Sequence, residues 1–316
     1  MLNQTQLDQF YSQGYLIVED VLEPQYLQTL KDEYTTLFKS LYTNWHAQGL
    51  VETAPTGLSF WEMLDNSYNA DGFDWYQPLD ISLPGEDIRE DTPMHHGPAI
   101  FDIVTNPRLL DMIECLIGSE ITSNPIQHIR IKPPEHLLAK GEIRPHINLT
   151  DWHQDRGVVH PEADNTEMVT VWLAITDATL ENGCLQVIPG MGNEMLPHCP
   201  KIQTAIADDF IDPSKAVPLP VQAGGAVLFH PLTPHSSLSN RSDGYRWSFD
   251  LRYNVTGQAT GRAHFPEFVA RSKKDPASEV TDWQEWKKRW EKTRQQVANS
   301  PHIEQHRWRT DSPFCA

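Results

Sequence analysis

Tyr245-Arg246-Trp247-Ser248-Phe249-Asp250-Leu251-Arg252-Tyr253 alternates without a break. Successive side chains of a strand point to opposite faces. Arg246, Ser248, Asp250 and Arg252 therefore share one face, and Tyr245, Trp247, Phe249, Leu251 and Tyr253 the other. Period-two patterning of this length predicts a strand whose apolar face lies in a core. Upstream, Ile126–Ile131, Met168–Ile175, Cys184–Ile188 and Ala226–Phe229 have the same β-branched and aromatic character. Asn182-Gly183 predicts a hairpin between two of these strands. Ala223-Gly224-Gly225 and Ser242-Asp243-Gly244 mark further turns. The region 120–256 thus reads as an antiparallel β-core, a double-sheet jelly roll or barrel.

The flanks change period. Residues 4–13 read as a short helix and Tyr15–Val18 as a strand. Pro24 suits a first helical turn, where its missing N–H costs nothing. Tyr26, Leu27, Leu30, Tyr34, Leu37 and Leu41 then predict an amphipathic helix over 24–42. A further helix follows Asn106-Pro107 and stops at Gly118. Between them, 43–98 is irregular and rich in aromatics. Such a stretch is either a functional loop, such as a lid, or a packed excursion. In the tail, Thr281 with Gln284 predicts a capping box. Trp283, Trp286, Trp290 and Val297 share a face, which predicts packing on the barrel or on a second subunit and leaves room for a homo-oligomer. The expectation is one domain over 1–316: N-terminal helices and a lid or loop (1–119), a mainly β double-stranded β-helix core of jelly-roll, cupin-like type (120–256), and a helical tail (257–316).

Composition narrows the function. The 316 residues carry 25 Lys plus Arg against 43 Asp plus Glu, a formal charge of −18. Nucleic-acid binding needs a basic face, so it is disfavoured, as is adhesion to an anionic membrane. No apolar run approaches the length of a membrane span. The start of the chain has neither the basic nor the apolar region of a secretion signal. The four Cys form no C-x-x-C pair, and a cytoplasmic, reducing location is the expectation.

Chemistry centres on three segments. In Asp151-Trp152-His153-Gln154-Asp155-Arg156, an extended backbone would aim His153 and Asp155 the same way, offering one nitrogen and one oxygen to a metal. In Phe229-His230-Pro231-Leu232-Thr233-Pro234-His235, either His230 or His235 could supply a third ligand. In the 245–253 strand, Arg246 and Arg252 facing inward would demand an anion. Facing outward, they would pair with Asp250 or solvent. Two imidazoles and one carboxylate leave three cis positions on an octahedral metal, which suits iron(II), a bidentate 2-oxo acid and dioxygen. A zinc site, or a non-catalytic polar network in a cupin-like barrel, uses the same residues.

The chain resembles the phytanoyl-CoA dioxygenase family of iron(II)/2-oxoglutarate oxygenases over roughly residues 5–256. The resemblance rests on FYSQGYLIVEDVLEPQYLQTLKDEY (10–34), NPRLLDMIECLIG (106–118), DWHQD (151–155), VTVWLAITDATLENGCLQVIPG (169–190) and HPLTPHSSLSNRSDGYRWSFDLRYN (230–254). The family pattern ends with a distal His, a small-residue pair and an Arg eleven residues after the His; Arg246 stands eleven residues after His235. The resemblance therefore implies His153, Asp155 and His235 as iron ligands, with no catalytic residue beyond them. It implies Arg246 and Ser237 on the far carboxylate of 2-oxoglutarate, with Trp172 beside it and Gln127 or a neighbour reaching it. Gln154 is placed near substrate, and Arg252 is the alternative carboxylate or substrate contact. Relatives that halogenate carry Ala or Gly where Asp155 stands, so hydroxylation or another C–H oxidation of a small molecule is implied, with O2 consumed and succinate and CO2 released.

Overall fold

A computed structural model describes every residue of the chain except 71–72, 139–149, 191–193, 202, 301–306 and 316. In chain order the elements are α1 (Gln4–Gln13), β1 (Tyr15–Val18), α2 (Pro24–Ala47), α3 (Phe60–Tyr68), α4 (Pro98–Val104), α5 (Pro107–Ile117), β2 (Glu120–Lys132) and α6 (Asp155–Val158). There follow β3 (Met168–Ala174), β4 (Leu185–Val187), β5 (His198–Pro200), β6 (Thr204–Ile206), β7 (Val217–Leu219), β8 (Ala226–Phe229), β9 (His235–Ser237), β10 (Arg246–Val255), β11 (Phe268–Ser272) and α7 (Trp283–Ala298).

The alternating strand β10 is central. A six-stranded sheet runs β1-β8-β3-β10-β2-β11, and a three-stranded sheet runs β7-β4-β9. All pairings are antiparallel. Trp247, Phe249, Leu251 and Tyr253 of β10 join Val169, Val171 and Leu173 of β3 in the large core shared with the helices. The opposite face places Trp172, Ala174, Val227 and Phe229 against Leu185, Val187 and Leu219 of the small sheet. This is a jelly-roll core, with the site between its sheets.

Several expectations need correcting. Asn182-Gly183 does turn, with Gly183 at φ +88°. It joins β3 to β4, however, and these lie in different sheets, so no hairpin forms. A turn dipeptide specifies a local reversal, not the partner of the next strand. The cap of α7 is Asp282, whose side chain accepts from the Gln284 N–H, rather than Thr281. The tail is not purely helical, because Phe268–Ser272 adds an edge strand to the large sheet. The amphipathic helix runs on to Ala47, since Tyr42 and Trp45 continue its buried face.

The 43–98 stretch is largely built into the core. Trp45, Phe60, Trp75, Tyr76, Leu79, Ile81 and Leu83 are buried; residues 71–72 lie outside the described set. Trp286 and Trp290 of α7 are buried against the chain's own Phe101, Phe268 and Phe265.

Candidate metal centre

Backbone pairing brings the first two donors together. His153 N donates to His235 O at 3.0 Å, and His235 N donates to His153 O at 3.0 Å. This isolated bridge sets the imidazoles side by side, with centroids 4.1 Å apart. Asp155 does not follow on the same strand, as the alternation argument supposed. It opens the short helix α6, and the chain turn carries its carboxylate back toward the histidines. His153 Nε2 and Asp155 Oδ1 are 3.8 Å apart, and one ligand atom from each of the three residues lies within 4.8 Å of the others.

The protonation pattern suits ligation. His153 Nδ1 lies 2.8 Å from Asp151 O, and His235 Nδ1 lies 2.9 Å from Thr233 O. A carbonyl only accepts, so each Nδ1 carries the hydrogen and each Nε2 presents its lone pair; such backing is usual for metal-binding His. Burial, reinforced by neighbouring His235, pushes His153 down to about 3 against the pull of Asp155, so it is neutral at ordinary pH. Burial alone would raise the Asp155 carboxyl, but Arg252 above all, with both histidines, holds it well below the usual range.

Asp155 is fully buried and gripped at both oxygens. Arg252 Nη2 contacts Oδ1, and Thr170 Oγ1 donates to Oδ2. Arg252 Nη1 also donates to Ile126 O at 2.9 Å. That carbonyl is available because the β10–β2 register shifts between Asp250 and Arg252.

Beside these donors is a cavity lined by Arg130, Thr150, His153, Asp155, Thr170, Trp172, Leu185, Phe229, His235, Ser237, Arg246, Asp250 and Arg252. Its three guanidinium groups differ. Arg130 pairs with Asp250 at 2.7 Å and Arg252 with Asp155. Arg246 has no carboxylate partner among the described residues. Its Nη1 donates to Ser248 Oγ at 2.8 Å, its Nε is buried without a partner, and its head lies 5.1 Å over the Trp172 ring. Burial lowers its pKa to about 10, which leaves it charged near neutrality.

The remaining candidates are placed differently. Ser237 lines the cavity, where its Oγ accepts from Lys132 Nζ at 2.7 Å. Gln127 is buried and donates to Ile81 O at 2.9 Å, outside the cavity lining. Gln154 is fully buried and engaged with Glu194 O, Leu232 O and the Leu196 N–H, so it braces the loop that carries His153 and Asp155. His230 Nδ1 accepts from the Leu232 N–H at 3.3 Å, away from the cavity. Lys132 was not among the residues expected from the sequence. It is buried, donates to Leu238 O at 2.6 Å, and stands opposite Arg246 in the β-ladder. Burial and the nearby Arg246 push it well below the usual lysine range. The legible signal was a lysine ending an apolar strand one alternation after Arg130.

A family model for phytanoyl-CoA dioxygenase matches residues 10–248. The chain is 27% identical over 281 residues to phytanoyl-CoA dioxygenase domain-containing protein 1 of Danio rerio, covering 78% of this chain and 88% of that one. It is 24% identical over 281 residues to the human peroxisomal phytanoyl-CoA dioxygenase, covering 86% and 72%. Among solved structures, it superposes on the non-heme monooxygenase ThoJ with a TM-score of 0.56 at 17% identity, covering 92% and 97%. EvdO2 from Micromonospora carbonacea, complexed with 2-oxoglutarate, gives 0.53 at 21%, covering 82% and 94%. These likenesses establish the shared fold, and the family match spans most of the sequence. The metal-ready turn at 153–155 and the strand bearing Arg246 both lie within that span, and the chain belongs to the phytanoyl-CoA dioxygenase family.

Proposed function

We propose that this protein is an iron(II)- and 2-oxoglutarate-dependent dioxygenase that hydroxylates, or otherwise oxidises a C–H bond of, a small-molecule substrate. One observation carries this reading: in a single cavity, two imidazoles and a carboxylate adjoin a buried guanidinium that forms no ion pair among the described residues. The donor set suits iron(II), because mixed nitrogen and oxygen ligands on one face leave positions for a bidentate acid and dioxygen. When bound, iron(II) with 2-oxoglutarate supplies oxidising power toward C–H bonds and releases succinate and CO2.

The chain's own residues do the positioning. His153, Asp155 and His235 hold the metal. Arg252 and Thr170 keep the Asp155 carboxylate ionised and oriented. Arg246, steadied by Ser248, offers a charged fork to the distal carboxylate of 2-oxoglutarate. Ser237 and Lys132 adjoin that end, and Trp172 walls it. Because Arg252 is engaged by Asp155, Arg246 is the better carboxylate clamp. Because Gln154 and Gln127 are consumed by backbone partners, they are read as supports rather than substrate or cosubstrate contacts. The jelly roll shields the chemistry from bulk water.

The charge of −18 supports a small-molecule substrate over nucleic acid or membrane. No described helix is long and apolar enough to cross a membrane. A cytoplasmic location remains part of the reading, although named relatives are peroxisomal. The test is spectroscopic. Purified protein given iron(II) and then 2-oxoglutarate without oxygen should develop the weak visible charge-transfer band of a chelated 2-oxo acid. A zinc protein or non-catalytic barrel would stay colourless, and that result would end the proposal.

A further inference from the structure

The last described residues of the chain return to the metal-binding turn. Cys315 is disulfide-bonded to Cys199 across a sequence separation of 116, with Cα atoms 5.4 Å apart. Cys199 lies in β5 directly after His198 and is 3% exposed. Between Arg307 and Cys315 the tail makes further contacts on the same region. Arg307 forks onto Asp164, one arm at 2.9 Å. Trp308 Nε1 donates to Gly157 O at 2.6 Å. The Trp308 ring stacks on His198, with centroids 5.1 Å apart and planes 25° apart. Phe314 meets Phe210 edge-on.

His198 passes this hold inward. Its Nδ1 lies 2.7 Å from Leu196 O, and its Nε2 accepts from the backbone N–H of Gln154 at 3.0 Å. Gln154 stands between the ligands His153 and Asp155, and Gly157 belongs to the turn that Asp155 opens. The contact chain therefore runs from the bridge through Trp308 and His198 to the peptide unit between two ligands.

We infer that Cys199 and Cys315 form a redox-sensitive clamp on the metal-binding turn, and that opening the bridge loosens the protein's hold on its metal. The inference rests on His153, Asp155 and His235 being a metal centre. The reductant is a dithiol. One of its thiolates attacks a bridge sulfur and expels the other cysteine, and its second thiol then displaces the first cysteine. Two electrons and two protons pass to the protein, and the reductant becomes a disulfide. Without the covalent tie, residues 307–315 keep a partly exposed ion pair, the Trp308 hydrogen bond to Gly157 and two aromatic contacts, and segments held by so few contacts open readily. In a reducing compartment such bridges are typically transient and redox-sensing, which fits a clamp that reports oxidant.

Two measurements test this on the full-length protein. Thiol alkylation with mass detection, after denaturation without reductant, should label Cys115 and Cys184 only, and dithiol treatment should release Cys199 and Cys315. All four labelling in air-oxidised protein would overturn the bridge. Cobalt(II) retention under chelator challenge should then be compared for oxidised protein and for protein reduced and desalted anaerobically. Reduction should speed cobalt loss about tenfold, the usual scale when support around a metal ligand is removed. Cys315→Ser should match the reduced protein and ignore the dithiol, whereas Cys115→Ser should respond like the parent. Equal retention in both redox states, with the bridge present, would overturn the coupling alone. If Cys315→Ser does not fold, the comparison of the two redox states of the parent decides. Oxidised parent that binds no cobalt would sink the metal centre and the coupling with it, leaving the alkylation result on the bridge intact.

Discussion

Asp155 and Arg246 are two buried charges with opposite solutions. Asp155 is neutralised internally by Arg252, whereas Arg246 forms no ion pair among the described residues. The two arginines on one face of β10 therefore predict different phenotypes. Arg246→Ala should raise the KM for 2-oxoglutarate about tenfold to a hundredfold, corresponding to a lost charge-assisted contact of about 1.5–3 kcal/mol. Succinate release measured against 2-oxoglutarate concentration checks it; an unchanged KM would return the clamp to Arg252. Arg252→Met should leave a buried carboxylate unpaired and destabilise the metal-free protein by about 3–5 kcal/mol. Urea denaturation of the metal-free variant reads that loss, and a parental midpoint would show that the pair contributes little. Which arginine faced which partner was not legible from alternation. Alternation sets the face of a residue, but the partner depends on the register shift in β2 and on where α6 returns Asp155.

At the scale of elements, the site depends on a short turn packed very closely. A Cβ at Gly157 would sit 2.5 Å from the His198 ring, and that ring is fully buried. Gly157→Ala should therefore displace His198 from the Gln154 N–H and α6 from its place. The expected cost is about 1–3 kcal/mol of overpacking, together with weaker cobalt(II) binding in an anaerobic titration. A stable variant with parental metal affinity would show that α6 adjusts freely. The elements themselves were largely readable. The helix at 4–13 and the strands Tyr15–Val18 and Ala226–Phe229 fall where composition and period place them. The short strands β5, β6, β7 and β9 were not, because three residues carry too little period to separate a strand from a loop.

The whole molecule should respond to acid through its buried histidines. Burial pushes His198 from 6.5 down to about 4 and holds His96, packed between Trp286 and Trp290, well below its ordinary value. Both pKa values are lower in the folded state, so the unfolded chain takes up protons first. Stability is then complete above about 6.5 and declines as pH falls toward 4. His198 alone should account for about 3 kcal/mol by the lower limit. Urea midpoints followed from neutral pH to about pH 4.5 measure this decline; a flat profile would mean that the rings protonate without leaving their sites.

The sequence by itself determined the class of fold and offered most residues of the candidate site. Period-two runs name the strands, and H-x-D, the distal His and the alternating arginines name the chemistry, because these are local patterns written along the chain. Only the tertiary structure decided how they meet. It paired His153 with His235 across 81 intervening positions, turned Asp155 in through a helix rather than a strand, and placed Lys132 beside Arg246. It also brought Cys315 back to Cys199. Such contacts join residues remote in sequence, and their geometry depends on sheet register and packing, which no local pattern encodes.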